Sequence, residues 1–148
     1  EVDSVERFFC LIDDMDISQA TWDELVDYLL REFQTKIYEI ANKLTYFVPH
    51  VSPQMSKCIC EALISRGAVR SACKAKEKSH EGMSTEELCM LTTAVIAYHR
   101  EDELEALLGE IQMVSIKNMD IAKQLGELLN PAFCPDGKKL NVIARIGM

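Results

Sequence analysis

Four residues in the middle of the chain are of types that bind zinc: Cys58, Cys60, Cys73 and His80. Structural zinc sites draw on cysteine pairs that are two to four residues apart. Cys58 and Cys60, however, fall in a stretch with helical spacing, where residues two apart point about 200° away from one another. These two thiols cannot then ligate one ion. We therefore expect one inward cysteine, one outward cysteine and no metal site.

Other motifs that would indicate catalysis or ion binding fail on specific residues. A calcium loop that starts at Asp14 needs glycine at its sixth position and a bidentate glutamate at its twelfth, where the chain has Gln19 and Leu25. No serine or cysteine lies in an elbow motif, and no glycine-rich phosphate loop is present. The sequence therefore predicts a protein that is not an enzyme, with no catalytic residue, no cofactor and no small-molecule substrate.

A cluster of cations is the remaining candidate for binding chemistry. Residues 33–80 carry a net charge of +5, whereas residues 1–32 carry −8 and residues 81–148 carry −5. The basic segment 57–78 holds six of these cations: Lys57, Arg66, Arg70, Lys74, Lys76 and Lys78. Two interpretations fit them, a solvated face that offsets acidic neighbours or a docking site for phosphate or an acidic partner. The net charge of −8 over the whole chain does not favour non-specific nucleic-acid binding.

The composition is typical of one globular domain in a reducing, intracellular compartment. The 148 residues are 48% hydrophobic and 27% charged, which is enough to bury a core. Six cysteines are too few for a disulfide-scaffolded secreted domain. No apolar run approaches the roughly 20 residues of a membrane span. No secretory signal is visible at the N-terminus, although a targeting peptide removed before residue 1 stays open.

Apolar residues recur with the 3.6-residue period of amphipathic helices along most of the chain. Residues able to cap a helix precede five of these stripes: Thr21, Ser52, Ser84, Asp102 and Asn118. The long stripe that starts at Trp22 is expected to break at residues 34–35. The polar stretch 70–82 is expected to be a loop or a poorly buried helix, and Asn130–Pro131 is expected to end the last helix. The sequence thus predicts an all-α fold of about six to seven helices.

An apolar residue followed by serine recurs at a nearly constant interval. The serines are 34, 32 and 31 residues apart: Ser18, Ser52, Ser84 and Ser115. Two helices and two turns fit in such a length. A repeat of this kind is a helical hairpin that stacks on its neighbours to bury its apolar face. We therefore expect antiparallel hairpins stacked as a short α-solenoid or an irregular bundle.

The C-terminal residues depart from the helical period. We expect a single helical domain over residues 1–134 and an extended arm over residues 135–148, in which Leu140–Ile146 is the one candidate for a short strand. Three cations of this arm suit an acidic or phosphate-bearing surface: Lys138, Lys139 and Arg145. The arm is therefore expected to reach a partner subunit; the alternative is that it folds back and caps the end of the helical stack.

The stretch Asp102-Glu-Leu-Glu-Ala-Leu-Leu-Gly-Glu-Ile, followed by Val114-Ser115 and a further amphipathic helix, resembles the degenerate helical-hairpin repeats of FAST-kinase-like and RAP-associated proteins. The resemblance extends over residues 18–130 and rests on leucine spacing and caps; the terminal RAP domain is not visible. It implies an α-solenoid of mitochondria or plastids that engages organellar RNA or lies in ribonucleoprotein assemblies. We therefore expect a non-catalytic scaffold or interaction subunit of a larger assembly, such as a mitochondrial ribosome. The alternative is a direct RNA-binding helical-repeat module that uses the basic segment 57–78.

Overall fold

The computed structural model describes residues 17–133, and the regular elements among them are all helical. The α-helices are α1 (Gln19–Glu32), α2 (Ala41–Tyr46), α3 (Pro53–Ser65), α4 (Val69–Lys78), α5 (Thr85–Ala97), α6 (Leu104–Ser115) and α7 (Met119–Phe133). Within these residues, no helix has both the length and the apolar character that crossing a membrane requires. The predicted all-α fold of about six to seven helices is confirmed, with seven α-helices in the described residues. The arm 135–148 and its candidate strand lie outside the described residues.

Helix α1 begins earlier than its expected cap at Thr21. The Ser18 hydroxyl accepts a hydrogen bond from the Thr21 N–H at 3.3 Å, so Ser18 is the cap and the helix starts at Gln19. The backbone of Ser18 is extended (φ −67°, ψ 154°), which is the conformation that a cap residue needs. Thr21 lies inside the first turn, so the expectation that it caps the helix is wrong.

Three other expected caps are confirmed, Ser52 for α3, Ser84 for α5 and Asn118 for α7. At α5 the capping box is complete. The Ser84 hydroxyl accepts the Glu87 N–H at 3.1 Å, and the Glu87 carboxylate accepts the Ser84 N–H at 3.0 Å. Local sequence therefore sets the starts of these three helices.

Two expected boundaries in the C-terminal half are wrong. Asp102 does not cap α6, because residues 101–103 form a 3-10 turn and α6 starts at Leu104 without a side-chain cap. Pro131 does not end α7, which continues to Phe133. A proline in the last turn of a helix removes a single backbone hydrogen bond. The helix can therefore continue for the two residues that follow Pro131.

The stretch 70–82 is mostly a helix rather than a loop. Helix α4 buries Val69, Ala72 and Ala75, which recur every three residues on one face. Alanine adds little hydrophobic signal to a sequence pattern, so the surrounding lysines concealed this face. Its small side chain nevertheless lets a neighbouring element approach closely, and the face is fully buried.

The long stripe that starts at Trp22 breaks where expected, since α1 ends at Glu32 and a 3-10 turn follows over Gln34–Lys36. The Trp22 side chain is buried and meets the Phe47 ring edge-on, with ring centroids 5.4 Å apart. The exposed ring of His50 stacks on the indole at 4.8 Å. Trp22 is therefore a core residue, as its position in the helical stripe predicts.

The helices divide into two compact units. The first unit holds the described residues up to 63 together with 71–81. Inside it, the Asp23 carboxylate accepts the Ser52 N–H at 2.8 Å, and the Lys78 ammonium donates to the Thr45 carbonyl at 3.2 Å. These hydrogen bonds tie successive hairpins of the first unit together.

The second unit holds residues 64–70 together with the described residues from 82 onward. Helices α5, α6 and α7 pack against one another within it. The turn between α3 and α4 also belongs here, and its Arg66 carbonyl accepts a hydrogen bond from Nε of Arg100 at 3.2 Å. Gly67 in this turn has φ +73°, and a Cβ there would lie 3.2 Å from the backbone of Ala94 and Val95. Glycine therefore allows a close approach at this turn.

The helix caps reproduce the expected repeat with one change. The caps that start α1, α3, α5 and α7 are 34, 32 and 34 residues apart: Ser18, Ser52, Ser84 and Asn118. The expected fourth position, Ser115, is wrong, because this residue ends α6 and its hydroxyl donates to the Gln112 carbonyl at 2.7 Å. The hydrogen bonds between hairpins within each unit span 29 to 34 residues, which matches the repeat length.

Candidate partner-docking surface

Two cations of the basic segment 57–78 are exposed in the first unit. Lys57 lies on α3 and Lys74 on α4. Both side chains project from helices whose buried faces consist of other residues. These two lysines are the members of the segment that best fit the predicted docking site for phosphate or an acidic partner.

The two arginines of the basic segment belong to the second unit and take part in its internal contacts. Arg66 donates from Nη1 to the Tyr98 hydroxyl at 3.1 Å. Arg70 donates from both its backbone N–H and its Nε to one carboxylate oxygen of Glu103, each at 3.2 Å. Its guanidinium also lies 3.9 Å from the Asp102 carboxylate. Both cations therefore help to hold the unit together.

Lys76 and Lys78 are also engaged, in the first unit. The Lys76 side chain is buried, and its Nζ lies 3.5 Å from the Glu81 carboxylate. Lys78 donates to the Thr45 carbonyl. Burial, followed by the nearby Lys74 ammonium, lowers the pKa of Lys78 below its usual value. The structure thus brings Lys74 and Lys78 together on α4 and uses most of the segment for intramolecular contacts.

The cysteines divide as the helical spacing predicts. Cys58 is exposed and Cys60 is buried, and neither of them is in a disulfide, nor are Cys73 and Cys89. Within residues 17–133, no group of three or more histidine, cysteine or acidic side chains is placed to hold a metal ion. The cations of the predicted partner arm, Lys138, Lys139 and Arg145, lie outside the described residues.

An exposed apolar cluster in the second unit was missed by sequence reasoning. Met113, Ile116 and Met119 surround the turn between α6 and α7, and their side chains are 66%, 86% and 58% exposed. They recur every three residues but lie off the buried stripe of α6, which runs through Leu104, Leu107, Leu108 and Ile111. Apolar residues that share a spacing but fall outside the main stripe are the sequence signal that could have revealed them.

A groove lies next to this apolar cluster, entirely within the second unit. Thr85 and Leu88 of α5 form one wall, and Glu110, Met113 and Val114 of α6 form the other. The loop at Gly82–Met83 and the turn at Lys117–Asn118 complete the lining, which is mostly apolar. The cavity has a volume of about 280 Å³. The second unit therefore offers both an exposed apolar cluster and a recess beside it.

The fold and these surfaces place the chain among all-α proteins built from helical hairpins. Comparison with protein-family models, with curated proteins and with solved structures finds no match. The similarity to FAST-kinase-like and RAP-associated repeats stays a prediction.

Proposed function

We propose that the chain is a non-catalytic helical scaffold, a subunit that presents apolar helical surfaces to protein partners in a larger assembly. The exposed apolar cluster of Met113, Ile116 and Met119 carries this proposal. The three residues surround a single turn, and grouped exposed apolar residues mark interaction sites, whereas single ones are common on any protein surface. Burying a side chain of this size is worth about 1.5–3 kcal/mol. The exposed fractions of the three residues add up to about two whole side chains, so a partner that covers them gains roughly 3–6 kcal/mol before the costs of association.

The side-chain types in the cluster support a docking role. Methionine is unbranched and polarizable, so it adapts its shape to an incoming surface. Two of the three residues in the cluster are methionines, and Met83 in the adjacent groove is a third. Such a surface gains contact area with partners of varied shape, which suits an interaction subunit.

The nature of the assembly is the finer part of the proposal. The similarity to FAST-kinase-like and RAP-associated repeats supports an organellar ribonucleoprotein, such as a mitochondrial ribosome, and a mitochondrial location. The low cysteine content, six in 148 residues, supports a reducing compartment. We expect protein subunits as the main partners, with Lys138, Lys139 and Arg145 adding contacts to an acidic or phosphate-bearing neighbour.

Direct RNA binding through the basic segment 57–78 is the alternative. The exposed lysines Lys57 and Lys74 favour it. Arg70 and Lys76 weigh against RNA binding, because each of these cations is paired with a carboxylate of the same chain. A protein that binds RNA through backbone phosphates needs cations that are available to release counterions from the nucleic acid.

Affinity purification from the native source, with and without nuclease, tests the scaffold function. Wild-type protein is expected to retain the same protein partners after nuclease treatment, and Ile116→Asp is expected to lose them. Ile116 is so exposed that this substitution leaves the melting temperature unchanged. The matched control is Lys74→Glu, which should keep the partners. If nuclease releases the partners and Lys74→Glu loses them instead, the chain is an RNA-binding module.

A further inference from the structure

We draw no further inference here: the strongest candidate, the exposed apolar cluster of Met113, Ile116 and Met119 around the turn between α6 and α7 together with the groove beside it, belongs to the site already described, and nothing in the described residues shows what covers it.

Discussion

Glu103 is predicted to be the residue on which the second unit depends most for its polar contacts. Its side chain is only 7% exposed, and one of its carboxylate oxygens accepts hydrogen bonds from both the backbone N–H and the Nε–H of Arg70. The first N–H groups of a helix have no partner inside the helix. Arg70 is the second residue of α4, so Glu103 satisfies one of these groups from 33 residues away.

The expected cost follows from these two bonds. Losing an N-cap acceptor costs about 0.5–2 kcal/mol, and a hydrogen bond to a charged group is worth about 1.5–3 kcal/mol. The Arg70 side chain is more than half exposed, so the hydrogen bond from its Nε should contribute near the lower limit of this second range. Glu103→Ala should therefore lower the free energy of unfolding by about 2–3 kcal/mol. Glu103→Gln keeps an acceptor oxygen and should cost about 1 kcal/mol.

Urea unfolding followed by circular dichroism measures these changes. The control is Glu101→Ala, an exposed carboxylate in the same 3-10 turn, which should stay within about 0.5 kcal/mol of wild type. A double-mutant cycle with Arg70→Ala should give a coupling energy of about 1 kcal/mol. If Glu103→Ala is no more destabilising than Glu101→Ala, the structural role assigned to Arg70 is refuted and this cation becomes available to the RNA-binding alternative.

Three further predictions use matched pairs. Gly67→Ala should lower the free energy of unfolding by about 2 kcal/mol or more, because Gly67 has a positive φ and close backbone neighbours. Gly109→Ala, in open space on α6, should raise it by up to about 1 kcal/mol. Chemical denaturation measures both changes. His80 and His99 have φ of 58° and 50°, so His80→Gly should stabilise by about 0.5–1 kcal/mol, while His99→Gly should gain less because it loses the stack on Phe133 at 4.8 Å. Lys74→Gln should raise the lowered pKa of Lys78, although burial is the larger cause; a carbon-13 NMR titration measures this, with Lys57→Gln as the unaffected control. The pKa of Lys78 is lower in the folded than in the unfolded protein, so the unfolded protein binds more protons at Lys78 in the pH window just below 10.5. In that window Lys78 should therefore make the free energy of unfolding rise with pH.

The parts of the fold that sequence reasoning found are those with local causes. Ser52, Ser84 and Asn118 are caps because each side chain bonds an N–H three residues ahead, and that information is contained within one turn of chain. The break after α1 is likewise local. The same logic located the repeat interval; only the fourth position of the repeat was misplaced, at Ser115 rather than at the cap Asn118 three residues later, because Val114-Ser115 mimics the pattern.

What the sequence concealed depends on contacts between distant segments. Asp102 has the residue type of a cap, but its carboxylate faces Arg70. Helix α4 buries alanines against other elements, so its apolar face is weak in sequence. The candidate site was missed for a different reason: Met113 falls outside the apolar stripe of α6, and this signal, although present in the sequence, was not used. Cations such as Arg70 looked available because their partners lie about one repeat away.

Salt dependence separates the two candidate functions most directly. Each phosphate contact to a single strand contributes about −0.7 to the slope of log affinity against log salt. Six available cations in the segment 57–78 would give a slope near −4, whereas the exposed pair Lys57 and Lys74 would give only about −1.4. A slope near −1.4 is too shallow to carry specific RNA binding by electrostatics alone. The apolar cluster at Met113, Ile116 and Met119 loses no affinity through counterion release, since its contribution comes from excluding water. The described residues therefore favour a protein partner held by apolar contacts.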